Sequence, residues 1–215
     1  NYHNTKLLTS DKAYDNNIAA GKNKPSTGKK VTKAVINGSG GSALGPQLMQ
    51  FDVNGPYRNE LSDAQRHGYM KIYFLNNTDP AGVEDLMQVM DLETTLVVTS
   101  SKSGGTQETK NNLDALEDIF AAAGVDIAKQ SAVITMLNSA LYKHAEEKGY
   151  LRIFEMAESI GGRTSETSIV GHLPDALAGI DFGAFLRGAL ITEEWSRHHA
   201  IRSKPSYLVR PLRCI

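Results

Sequence analysis

A single cysteine, Cys214, stands among 215 residues, one position from the end of the sequence. An intrachain disulfide is therefore excluded, and a reducing compartment is the expected setting. An excess of either charge is also lacking: 23 Lys and Arg face 24 Asp and Glu, a net charge of −1. That balance offers no long-range pull on nucleic acid or on an anionic membrane, so any anion site must be local. No stretch approaches the ~20 consecutive apolar residues of a membrane helix, and the start, "NYHNTKLL", has neither the basic nor the apolar region of a signal peptide. The expected partners thus include no nucleic acid and no membrane, and the expected location is the cytoplasm. Histidines are few and scattered, at 3, 67, 144, 172, 198 and 199. The adjacent pair would point about 100° apart on a helix, so no metal site is expected.

What is present is the composition of an ordinary soluble globular protein, 40% hydrophobic and 22% charged with 19 Gly. Residues 1–32 are polar, punctuated by Gly and Pro, and read as an N-terminal surface arm. Lys22, Lys24, Lys29 and Lys30 within it are expected on a solvated loop. From residue 33 short apolar runs alternate with longer amphipathic segments. Strands are expected at 33–37, 71–75, 95–100, 131–136 and 151–154, helices at about 43–51, 80–90, 106–123 and 139–148. The strand runs are continuously β-branched and aromatic, which suits strands covered on both faces. Helix 106–123 places Leu113, Leu116, Phe120 and Ala123 at helical spacing. The fold class expected is α/β, a three-layer α/β/α sandwich on a parallel sheet. The domain expected spans 33–171, and 172–215 are expected to form a helical segment, with a helix at about 181–198.

Ligands of an open parallel sheet gather outside the carboxyl ends of its strands. Three unusual loops fall there. The first, "NGSGGSALGP" at 37–46, combines glycines that permit close backbone approach with Ser39 and Ser42. Its spacing is not the G-x-G-x-x-G of a dinucleotide site. The second, "SSKSGGTQET" at 100–109, precedes a helix and is dense in hydroxyls. Lys102 lies before Gly104 and Gly105, the reverse of a nucleotide P-loop. The loop suits one phosphate monoester at the positive end of the helix, or else Ser103 or Thr106 simply caps it. The third, "SIGGRTSETS" at 159–168, presents Arg163, fit either for an oxyanion or for an interdomain ion pair. Glu193 and Glu194 sit on an expected solvated helix face and are poor candidates for a general base.

These loops, in this order, resemble the phosphoglucose isomerase family in its first sugar-isomerase (SIS) domain. The resemblance rests on "GSGGSALGPQ" 38–47, "FLNNTDPAG" 74–82, "SSKSGGTQET" 100–109 and "GGRTSETSIVG" 161–171, supported by "LPDALAGID" 173–181, and covers about residues 33–205. It implies that Gly41 and Ser42 lie against a sugar phosphate, that Ser101, Lys102, Ser103 and Thr106 cradle the phosphate, and that Arg163 is the catalytic residue beside the reacting carbons. The implied reaction interconverts glucose 6-phosphate and fructose 6-phosphate through a cis-enediolate, without metal or organic cofactor. The implied assembly is a homodimer of the full-length protein. Ser39 departs from the family, which usually has an apolar residue there. The resemblance also places the family's base glutamate, ring-opening histidine and C-terminal lysine outside this sequence, so the chain alone is expected to turn over little substrate. The alternative is a non-catalytic SIS module that binds a sugar phosphate as a sensor or regulatory partner, although the 1–32 arm shows no DNA-binding helix-turn-helix.

Overall fold

The computed structural model describes residues 28–197. Lys22, Lys24, the 198/199 histidine pair and Cys214 lie outside the described residues. The elements run β1 (Lys33–Gly38), α1 (Gly41–Met49), β2 (Lys71–Leu75), α2 (Pro80–Val89), β3 (Thr95–Ser100), α3 (Gln107–Ala122), β4 (Ser131–Thr135), α4 (Ala140–Lys148), β5 (Arg152–Glu155), α5 (Ile169–Ala178) and α6 (Phe182–Arg197). The five strands are all parallel, in the order β2-β1-β3-β4-β5. This is the expected sheet flanked by helices.

The continuous apolar runs end up where both faces are covered. Every residue of β3, "TLVVTS", and of β4, "SAVIT", is buried. On one face Val35 and Val97 join Leu75, Leu86, Leu116 and Phe120, so α2 and α3 lie over β1, β2 and β3. Val133 continues that face into a second cluster with Leu113, Leu141, Ala145 and Tyr150, which brings in α4. Side chains alternate along a strand, so Ala34, Ile36, Leu96 and Val98 point the other way. That face is left to α1 and α5, which pack on each other and reach β1 and β2.

The helix ends divide into two kinds. Asp79, Ser139 and Ser168 cap α2, α4 and α5 by accepting from the amides of Ala81 at 3.0 Å, Tyr142 at 3.0 Å and Val170 at 3.4 Å. No side chain caps α1 or α3. Helix α1 begins at Gly41, two residues before the apolar periodicity starts, because glycines contribute nothing to that pattern. A wider helical turn, Gln50–Asn54, follows it.

Lys29, from the lysine run, forms an ion pair with Glu93. The first compact unit closes at Ile180, and α6 belongs to a second that begins at Asp181. Leu190, Ile191 and Trp195 of α6 are exposed, as are Glu193 and Glu194. No helix among the described residues is long and apolar enough to cross a membrane.

Candidate functional site

The chain leaves β1 for β2 on one side and returns to β3 on the other. The loops after β1 and β3 therefore diverge at the carboxyl edge, which opens a crevice where open α/β sheets bind ligands. Both loops lead directly into the uncapped helices. In the first, Gly40 at φ 56° turns the chain so that α1 starts at Gly41, and the Ser42 amide bonds the Ser39 carbonyl at 3.3 Å. In the second, Thr106 occupies the cap position of α3 without capping it. Its Oγ1 accepts instead from Ser101 Oγ at 3.4 Å, while Ser103 Oγ accepts from the Gly105 amide at 3.2 Å and shapes the turn. Helix capping is thus not what these hydroxyls do. The first-turn amides of α3, a 16-residue helix, keep their capacity and their positive field for an anion.

The backbone of the second loop is pinned to the end of β4. The Ser101 amide donates to the Ile134 carbonyl at 3.1 Å, and the Lys102 carbonyl accepts from the Met136 amide at 3.1 Å and from Thr135 Oγ1 at 3.2 Å. Gly104, at φ 71°, lies so close to the Leu141 amide that a side chain has no room there. Beside the loop, a cleft of about 150 Å³ is lined by Ser101, Gly104, Thr106, Thr109, Leu141 and His144. His144 is held at 2.7 Å by Glu117, which also takes Lys148 at 3.2 Å and the Tyr150 hydroxyl. Burial opposes ionisation of Glu117, but these three donors outweigh it and hold the carboxyl below its ordinary range.

Arg163 lies in a short helical turn, Gly162–Thr167, that precedes α5. It is exposed, and among the described residues no carboxylate pairs with it. The turn is fixed to the first loop. The fully buried Ser165 donates from Oγ to the Gly41 carbonyl at 3.3 Å and to the Gly162 carbonyl at 2.8 Å. Gly41 and Gly162 meet backbone to backbone, so a Cβ on Gly41 would run into the Gly162 carbonyl. The ring of loops closes twice more: Lys102 Nζ donates to the Glu158 carbonyl at 2.5 Å, and Asn37 Nδ2 donates to the Thr109 carbonyl at 3.0 Å. Gly41, Ser42, Ser101, Lys102, Ser103, Thr106 and Arg163 therefore all sit on three mutually bonded loops. Sequence reasoning passed over Asn37 and Ser165. Asn37 had a signal, an amide ending the otherwise apolar run "AVI"; Ser165 had none.

Two further carboxyls lie behind the arginine turn. Glu166 rests against Gly45 of α1 and Gly171 of α5, and neither of its oxygens has a hydrogen-bond partner. The fully buried Asp175 has none either. Burial pushes Glu166 up to about 8, helped by the charge of Asp175, and burial pushes Asp175 up to about 7. The folded chain thus keeps protons that the unfolded chain releases at ordinary carboxylate values of 4.5 and 3.8. The resulting stability is complete below those values and is lost as pH rises through about 7 and 8. Glu166→Gln, which stays neutral, is expected to flatten the fall of Tm between pH 5 and pH 9, with its largest stabilisation at the alkaline end. Parallel Tm curves for the two proteins would contradict this.

Known proteins with the same pattern place this geometry in context. The family model described as phosphoglucose isomerase matches residues 3–205. A glucose-6-phosphate isomerase of Acaryochloris marina is 38% identical over 199 residues, 92% of this chain and 36% of the relative. The chloroplastic glucose-6-phosphate isomerase 1 of Arabidopsis thaliana is 39% identical over 92% of this chain and 31% of its own length. Among solved structures, a glucose-6-phosphate isomerase from Chlamydia trachomatis superposes with a TM-score of 0.74 at 30% identity, covering 91% of this chain and 34% of that one. A hypothetical protein, TT0462, from Thermus thermophilus gives a TM-score of 0.71 at 28% identity. The chain thus spans about a third of the length of the curated relatives it matches. With the glycine loop, the hydroxyl loop and the arginine turn in the family's order on one sheet edge, and the family model matching nearly its whole length, the chain belongs to the phosphoglucose isomerase family.

Proposed function

We propose that these residues form the phosphate-holding part of an aldose–ketose isomerase that interconverts glucose 6-phosphate and fructose 6-phosphate. The observation that supports this most is a hydroxyl-rich loop whose hydroxyls do not cap the helix behind it, set on one edge with an arginine that has no carboxylate partner among the described residues. The α3 amides, the hydroxyls of Ser101, Ser103 and Thr106, and the Lys102 ammonium hold the phosphate dianion. Gly41 and Ser42 line the crevice at the start of α1. Arg163 stands by the reacting carbons. When the open-chain aldose loses its C2 proton, negative charge develops on the enediolate oxygens; a proton passed from O2 to O1 and a proton added at C1 then give the ketose. A fixed guanidinium beside those oxygens lowers the barrier because charge grows there in the transition state. No proton acceptor is assigned among these residues.

Isothermal titration tests the reading. Fructose 6-phosphate is expected to bind, inorganic phosphate to compete with it, and fructose to bind at least about 100-fold more weakly, the loss of two charge-assisted hydrogen bonds or more. Equal affinity for fructose and fructose 6-phosphate would sink it.

A further inference from the structure

We infer that Lys102 does more than neutralise the phosphate: it couples occupancy of the phosphate loop to the order of the arginine turn. This inference rests on the proposed phosphate site and deepens it. Lys102 Nζ donates to the Glu158 carbonyl at 2.5 Å, a main-chain bond across 56 positions of sequence. Glu158 lies five residues before Arg163, on the segment that enters the Gly162–Thr167 turn. An ammonium group has three donors. One is committed to Glu158, and two remain for an anion on the loop from which the lysine springs.

The backbone on either side makes this link mechanical. The Lys102 carbonyl is held by Met136 and Thr135, so the lysine's own main chain is fixed to the end of β4. The far side is fixed before Glu158, where the Met156 amide donates to the Thr135 carbonyl at 2.8 Å, and again in the turn, where Ser165 and Gly162 meet Gly41. Residues 157–161 therefore span two main-chain anchors, and the lysine ammonium ties the stretch down between them, at Glu158. An anion on Ser101 and Thr106 lowers the freedom of that ammonium, and a side chain already ordered gives its remaining hydrogen bond at a smaller entropic cost. Phosphate binding thus tightens the segment that carries Arg163. Lys102 acts on Arg163 as a positioning residue, through the Glu158 carbonyl.

Amide hydrogen exchange with inorganic phosphate as the probe reads both halves separately. Amides 101–110 report the phosphate site, and amides 158–166 report the coupling. In the unaltered chain, saturating phosphate is expected to slow exchange in both segments, in 158–166 by about tenfold, which is ~1.4 kcal/mol of local opening. Lys102→Met at its own saturating phosphate is expected to keep the protection of 101–110 and lose that of 158–166. Lys102→Arg, which retains charge and donors, is expected to restore part of it. If Lys102→Met protects 158–166 as well as the unaltered chain does, or if phosphate protects only 101–110 in the unaltered chain, the coupling is wrong and the phosphate site stands. Protection of neither segment overturns the phosphate site, and the coupling with it.

Discussion

Gly41→Ala is expected to weaken both the fold and sugar-phosphate binding, because the added methyl group meets the Gly162 carbonyl. Neither partner can turn aside. The obstacle is backbone, and it is held by Ser165, whose hydroxyl bonds both the Gly41 and the Gly162 carbonyls. Relief requires α1 and the arginine turn to separate, which disturbs the start of α1 and the seat of Arg163 together. Overpacking of this kind costs about 1–3 kcal/mol, and for a protein of this size each kcal/mol lowers Tm by roughly 2–4 °C. The natural control is Gly82→Ala in α2, where a Cβ meets nothing within 4 Å. That change is expected to be neutral or to stabilise by up to about 1 kcal/mol, the helix preference of alanine over glycine. Thermal melts of both variants decide the matter. If Gly41→Ala melts no lower than Gly82→Ala, the backbone contact between the first and third loops is not tight.

The double variant Ser101→Ala with Thr106→Ala carries the largest expected effect on binding. The two hydroxyls bond each other across the loop at 3.4 Å. Removing both therefore leaves no donor stranded, whereas a single change would confuse lost binding with an unsatisfied partner. Hydrogen bonds to a charged group contribute about 1.5–3 kcal/mol each, so two should weaken fructose 6-phosphate by at least about 100-fold. Stability should move little, since the loop backbone is held independently by Ile134, Thr135 and Met136. Unchanged affinity for the phosphosugar would remove these hydroxyls from the phosphate cradle.

Much of the fold could be read before any coordinates, for a physical reason. Parallel strands read as continuous β-branched and aromatic runs, and "TLVVTS" and "KIYFL" became the buried β3 and the edge strand β2 with the expected limits. The helix expected over 106–123 is trimmed by one residue at each end, and its Leu113, Leu116 and Phe120 are buried as the spacing implied. What periodicity could not carry were contacts between distant backbones. Gly41 and Gly162 look like two loop glycines in the sequence, and only folding shows that a side chain at Gly41 would strike the Gly162 carbonyl. The same holds for Glu166 and Asp175. A charge in "GGRTSETS" reads as solvated loop, yet the glycines at 45 and 171 make a recess for Glu166 between two helices. Lys102 was legible as a reason to reject a nucleotide loop, but its bond to a main-chain carbonyl had no sequence signature.

The attachment of Ser101 and Lys102 to the end of β4 also sets an order for synthesis. A nascent chain that has completed β1, β3 and α3 already contains each hydroxyl of the loop, but not Ile134, Thr135 or Met136, which hold its shape. The arginine turn emerges later still, and Gly162 must then find Gly41, laid down well before it. The shape of the loop is therefore fixed only once β4 has emerged. A stalled chain ending before β4 would expose the whole glycine- and serine-rich loop without the strand end that shapes it.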